Sequence, residues 1–187
     1  MNLEKFGWII LSELLCYHSA MSERIIFVDK DDSLIGVGTR EEAWEKGMYL
    51  RIVRVILRDE NGRILSQYRS PEKKSYPNTW TDSASGHVDE GDTYDTAVMR
   101  ELQEELGVAV DLKPIGKFTS EDIVDNKNIN EINAIYEGRV NSSLEFNLQK
   151  SEVSKIKWYE LEELVQEMKD TPHSFTPGFR ELIARYY

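Results

Sequence analysis

Between Gly86 and Val108 the chain reads GHVDEGDTYDTAVMRELQEELGV, and no other run limits its folding as tightly. Asp92 and Thr93 are both good helix N-caps, and Gly107 suits the left-handed position that ends a helix. Tyr94, Val98 and Leu102 recur at i, i+4 and i+8, so the predicted helix buries one apolar stripe. Glu101, Glu104 and Glu105 fall at i, i+3 and i+4 and crowd another face. The last two of these face the negative end of the helix dipole as well as each other. Each like-charge pair costs about 0.2–0.5 kcal/mol, and each anion at a helix C-terminus about 0.3–1 kcal/mol. A divalent cation turns that penalty into a binding site, so the run predicts a half-buried helix with a metal-binding face.

The rest of the chain is ordinary for a soluble globular protein. With 187 residues it is long enough for one well-filled core, read as an N-terminal extension over residues 1–20 and a single domain over 21–187. A net charge of −11 argues against binding a nucleic acid polymer, because nothing offsets phosphate repulsion over the surface. An anionic small molecule stays compatible with it where metal ions and a few local bases neutralise the charge. The one cysteine, Cys16, excludes an internal disulfide framework and fits a reducing, cytoplasmic setting. The apolar stretch FGWIILSELLCY is interrupted by Glu13, is too short to span a bilayer and lacks the flanks of a signal peptide. Its partial stripe of Trp8, Ile9, Leu11, Leu14 and Leu15 predicts an extra helix, with no membrane partner.

Strands are expected over 24–29, 49–58, 63–68, 80–85, near 108–119, 129–140 and 156–159. Helices are expected over 40–46, 161–169 and 177–186. Asn61-Gly62 marks the clearest hairpin, and Pro71 and Pro77 mark a loop over 70–78. Strands mixed with interspersed helices predict an α+β or layered α/β/α domain.

A bare E-x-x-E-E run is most often a solvated helix face. Its setting here resembles the Nudix box: Gly86, five residues, an acid (Asp92 for the usual Glu), seven residues, Arg100-Glu101, Leu102, one residue, Glu104-Glu105, one residue, Gly107, Val108. The resemblance implies the Nudix fold, an α/β/α sandwich around a mixed β-sheet, and hydrolysis of a diphosphate joined to another organic group. It also implies Mg²⁺, with Mn²⁺ as an alternative, held by the Gly86 carbonyl and by Glu101, Glu104 and Glu105. Asp92 and Arg100 are then the ion pair that braces the box. The base that activates water is Glu101 or Glu105, family members differing on this point, with Glu131 and Glu152 as further candidates outside the box.

A second resemblance, over residues 25–108, is to type I isopentenyl-diphosphate isomerases and their hydrolase relatives. It implies that Arg69 and Lys73, with Lys74 beside them, grip the diphosphate, and that His87 contacts phosphate or caps its loop. The isomerase Cys is absent from WTDSASGHV, where Ala84 and Ser85 stand, and two isomerase metal histidines fall at Trp44 and Leu50. Glu101, usually lost in isomerases, is kept. The sequence therefore favours a hydrolase of a small organic diphosphate over the two alternatives, an isomerase and a non-catalytic nucleotide-binding module. Trp80, Trp158, His173 and Phe175 are read as packing residues. A homodimer is compatible with the sequence, which does not decide it.

Overall fold

The computed structural model describes residues 24–124 and 126–187; the expected N-terminal helix over 1–20, and Cys16 with it, lies outside them. The elements run β1 (Ile25–Val28), β2 (Leu34–Gly38), α1 (Arg40–Lys46), β3 (Tyr49–Arg58), β4 (Ile64–Arg69), β5 (Trp80–Thr81) and β6 (Ala84–His87). They continue with α2 (Tyr94–Leu106), β7 (Leu112–Val124), β8 (Lys127–Arg139), β9 (Val153–Tyr159), α3 (Leu161–Asp170) and α4 (Pro177–Tyr186).

Strand β3 organises the molecule. Along one edge it runs parallel to β8 from Tyr49↔Asn130 to Arg58↔Arg139. Its other edge is shared in turn by β1 at Leu50, by β6 from Ile52 to Val55, and by β4 at Arg58. Sharing one edge among three partners requires short strands, and β1 and β6 are each 4 residues long. Alternation along β3 then sorts the two faces. Val53, Val55 and Leu57 join Val98, Leu102 and Leu106 of α2 in one core, whereas Ile56 joins Leu164 of α3 and Phe179, Leu182 and Ile183 of α4 in another. The result is a mixed sheet between helical layers.

The hairpin at Asn61-Gly62 is more limited than the sequence suggests. Asp59 builds the turn by accepting from the backbone N–H groups of Asn61 and Arg63 at 2.9 and 2.8 Å, and Gly62 takes φ +85°. The strands pair only at Arg58↔Ile64, after which β4 leaves to pair with β5 and β9. Ser83 bridges the gap: its Oγ accepts from Leu57 N at 2.8 Å and donates to Leu65 O at 2.6 Å. That substitution of side chain for ladder explains why the single strand expected over 80–85 is instead two, broken at Asp82-Ser83. The edge strand β2 was not expected either; Leu34 and Ile35 are exposed, so no burial pattern announces it.

Candidate active site

Thr93 caps α2, its hydroxyl accepting from the Thr96 backbone at 3.2 Å, and Gly107 ends the helix at φ +69°. One face of this helix is set by the core stripe, with Val98 and Leu102 buried and Tyr94 half-buried. The rotation fixed by that packing divides the three glutamates. Glu101 and Glu105 are buried against β6, whereas the Glu104 side chain is 57% exposed. Among the described residues no trio of carboxylate, imidazole or thiolate groups converges into a ready-made coordination sphere.

A glycine at the end of a strand predicts a tight turn at Gly86, but the structure keeps it within β6 and gives it a different purpose. Its φ is not in the left-handed region, and it continues the β6 ladder opposite Val53. What it supplies is space: a Cβ there would fall inside the Glu101 carboxyl group. Next to it, the backbone N–H of Ser85 donates to Glu105 Oε2 at 3.0 Å, and Gln67 Nε2 donates to the same oxygen at 2.9 Å.

Arg100 gathers the loop before the helix. Its guanidinium lies 3.1 Å from Asp92, 3.0 Å from Asp89, 2.7 Å from Glu101 and 3.4 Å from Glu104, and it donates to the His87 carbonyl at 2.9 Å. The shorter aspartate therefore reaches Arg100, with Asp89 as a second acid that the sequence did not single out. Burial opposes the Arg100 charge, but Glu101 and Asp89 outweigh it and raise its pKa.

The other wall of the site is basic and polar. A cleft of about 800 Å³ is lined by Glu101, Glu104, Glu105, Gly86 and His87, and also by Arg69, Lys73 and Lys74. Arg69 folds the 70–79 loop, donating to the Ser75 carbonyl at 2.9 Å and the Tyr76 carbonyl at 3.2 Å. Lys73 pairs with Glu152. His87 Nδ1 lies 3.2 Å from Arg40, and burial followed by Arg40 and Lys73 pushes its pKa well down, so the ring is neutral. Glu131 also lines the cleft, 3.3 Å from Arg54.

Sequence reading passed over Arg54. Buried in β3, it donates to Asn133 Oδ1 at 2.6 Å and Asp82 Oδ2 at 2.8 Å besides meeting Glu131. Its signal was available as a basic residue inside an apolar strand, YLRIVRVIL. Gly178 accommodates it, since a Cβ there would collide with the guanidinium. Trp80 and Phe175 pack in the α3–α4 core and Trp158 against the α2 core. Leu50 is buried under α1, Trp44 lines the cleft with Lys127 over its ring, and Ala84 is buried in the α2 core.

The donor chemistry suits a hard cation. Burial, and then the neighbouring Glu101, push Glu105 up to about 8, so the Glu105 charge is poorly tolerated beside a second carboxylate. Oxygen donors of this kind match Mg²⁺ or Mn²⁺. A stability test follows. Glu105 protonates more readily folded than unfolded, so the metal-free protein binds the extra proton between the ordinary glutamate value of 4.5 and about 8. The associated stability is fully present below the unfolded pKa and is lost as pH rises through the folded one. Thermal melts in chelator should therefore show a lower Tm at pH 8.5 than at pH 5.5, by an amount that Glu105→Gln removes. Mg²⁺ should raise Tm more at the higher pH.

Comparisons with known proteins agree with this geometry. The NUDIX domain model matches residues 48–184. A prenyl-diphosphate phosphatase of Methanosarcina mazei is 35% identical over 164 residues, covering 86% of this chain and 92% of the relative. An isopentenyl-diphosphate Delta-isomerase of Photorhabdus laumondii is 32% identical, covering 87% of this chain and 92% of its own. A crystal structure from Deinococcus radiodurans superimposes with a TM-score of 0.75 at 26% identity, covering 88% of this chain and 99% of that one. The box helix seated on its glycine strand thus has the family around it as well as the motif within it, and the chain belongs to the Nudix hydrolases, enzymes that act on phosphoanhydride bonds.

Proposed function

We propose that the protein is a Mg²⁺-dependent hydrolase of a small organic diphosphate, with isoprenoid diphosphates as its substrate class. The observation that carries the reading is the meeting, in one cleft of about 800 Å³, of the buried Glu101–Glu105 pair with Arg69, Lys73 and His87. Glu101, Glu105 and the Gly86 carbonyl would hold the cation, with Glu104 reaching in from the exposed flank. When bound, the metal neutralises phosphate oxygens and lowers the pKa of the attacking water. Arg69, whose Nε and Nη2 hold the Ser75 and Tyr76 carbonyls, would offer its Nη1 to the diphosphate, and Lys73 a mobile point charge released from Glu152. Neutral His87 offers a hydrogen bond rather than a charge. Glu105, already inclined to hold a proton, is the stronger candidate of the two carboxylates to accept one from water.

The isoprenoid class rests on two supports. Both curated relatives named above carry isoprenoid chemistry in their names. The cleft is also lined by the apolar side chains of Trp44, Ile52 and Ile129, while Trp80 and Trp158 are committed to the cores, so among the described residues no indole pair is left to sandwich a base. The isomerase reading is weaker because Ala84 and Ser85 provide no thiol. A test incubates the protein with Mg²⁺ and, separately, isopentenyl, dimethylallyl, geranyl and farnesyl diphosphates, ADP-ribose and nucleoside triphosphates, following phosphate and pyrophosphate release. Turnover should be highest for a prenyl diphosphate. Preference for a nucleotide would overturn the substrate class, and inertness toward the whole panel would overturn the reaction.

Arg69→Ala should mainly raise KM for the diphosphate, by about 10-fold or more, the scale of one lost charge-assisted contact. Steady-state kinetics decides it: a fall in kcat at constant KM would mean that Arg69 acts only in the transition state.

A further inference from the structure

Gln67 occupies a place where an amide needs a reason. It lies on β4 two residues after Leu65, hence on the same face, and Leu65 belongs to the core under α2. Only 1% of Gln67 is exposed. Its Nε2 donates to Glu105 Oε2 at 2.9 Å, but its Oε1 is buried with no hydrogen-bond partner. A buried unsatisfied acceptor costs about 1–3 kcal/mol, and an apolar side chain of similar length would avoid that cost. The half of the amide that is bonded must therefore account for the residue.

That half acts on one atom. Glu105 Oε2 receives both the Gln67 Nε2–H and the Ser85 backbone N–H, the second at 3.0 Å. Among the described residues no protein donor is bonded to Oε1 of the same carboxylate, and Glu105 lines the cleft. Two donors on one oxygen fix the carboxylate plane and reserve the other oxygen. Ser85 cannot do this alone, because a single hydrogen bond leaves the group free to rotate about the line between them. We infer that Gln67 is a positioning residue for Glu105, holding Oε2 so that Oε1 alone meets a cation or accepts a proton.

The inference rests on Glu105 being a functional carboxylate, and the two ideas can fail separately. The probe is Mn²⁺ alone, titrated calorimetrically into the full chain, with thermal melts and steady-state kinetics alongside. Gln67→Met removes the donor while keeping length and packing; Gln67→Asn keeps an amide but is one methylene too short to reach Glu105. Each should weaken Mn²⁺ binding by about 10–100-fold, the usual effect of losing a partner that orients a metal ligand. kcat should fall comparably with KM changed by less than about twofold. Tm should stay level or rise in Gln67→Met, since the orphaned Oε1 is gone. In the Gln67→Met/Glu105→Gln double variant the losses should not add.

Wild-type Mn²⁺ affinity in Gln67→Met, with affinity lost in Glu105→Gln, would overturn the role of Gln67 and leave Glu105 standing. Wild-type affinity and turnover in Glu105→Gln would overturn both. A Gln67→Met protein whose Tm and affinity fall together, and which Gln67→Asn restores, would show that the amide serves packing polarity and not position.

Discussion

Glu105→Gln should abolish most turnover, by about 10²–10⁴-fold, while making the metal-free protein more stable near pH 8. The two effects have one cause. Glu105 is 3% exposed and lies beside Glu101, so its charge is costly to the fold in the absence of a cation. Gln keeps the shape and can still be met by a donor at its amide oxygen, but it neither ligates a hard cation strongly nor takes a proton. Residues that hold a fold together lose stability when neutralised; a residue retained for chemistry gains it. Glu104→Gln should also lose activity, with no gain in Tm, because that carboxylate already stands in solvent. Melts in chelator at pH 8 and kinetics in saturating Mg²⁺ separate the two. Undiminished turnover in Glu105→Gln would remove this carboxylate from the mechanism.

Gly86→Ala carries the second large expected effect. The backbone at Gly86 is open to any residue, so a methyl group strains neither β6 nor its pairing with Val53. It does occupy the volume of the Glu101 carboxyl. The end of a glutamate is easily displaced, so the chain should fold with a nearly unchanged Tm. Glu101 then turns away from Glu105, and a displacement of about 1 Å at such a site costs about 10²-fold in rate. Circular dichroism, melts and turnover measured together test this. A large fall in Tm would restore the view that Gly86 is there for the backbone.

Much of the fold follows from local pattern. The α2 helix, its Thr93 and Gly107 ends, the Asn61-Gly62 turn and the C-terminal helices are all set by residues near one another in sequence, where caps, left-handed glycines and apolar spacing act. The family and its reaction were legible for the same reason, since the box is contiguous. Less visible were the departures from regular pairing. β4 leaves β3 after one pair because Ser83 takes over the hydrogen bonds between them, and that exchange joins residues 18 and 26 positions apart. No local signal records it.

The site divides along the same line. Spacing alone places Glu101, Glu104 and Glu105 near one another and places Arg100 within reach of Asp92. Burial of the Val98–Leu102 stripe then chooses the helix rotation, and only that choice makes Glu105 a buried acid and leaves Glu104 in solvent. Arg54 and Gln67 enter the site from strands far away in sequence, each carried there by sheet register. Sequence determined which chemistry the chain contains, because ligand type and spacing are local. Tertiary structure decided which carboxylates share charge, since desolvation exists only once distant segments have closed over them.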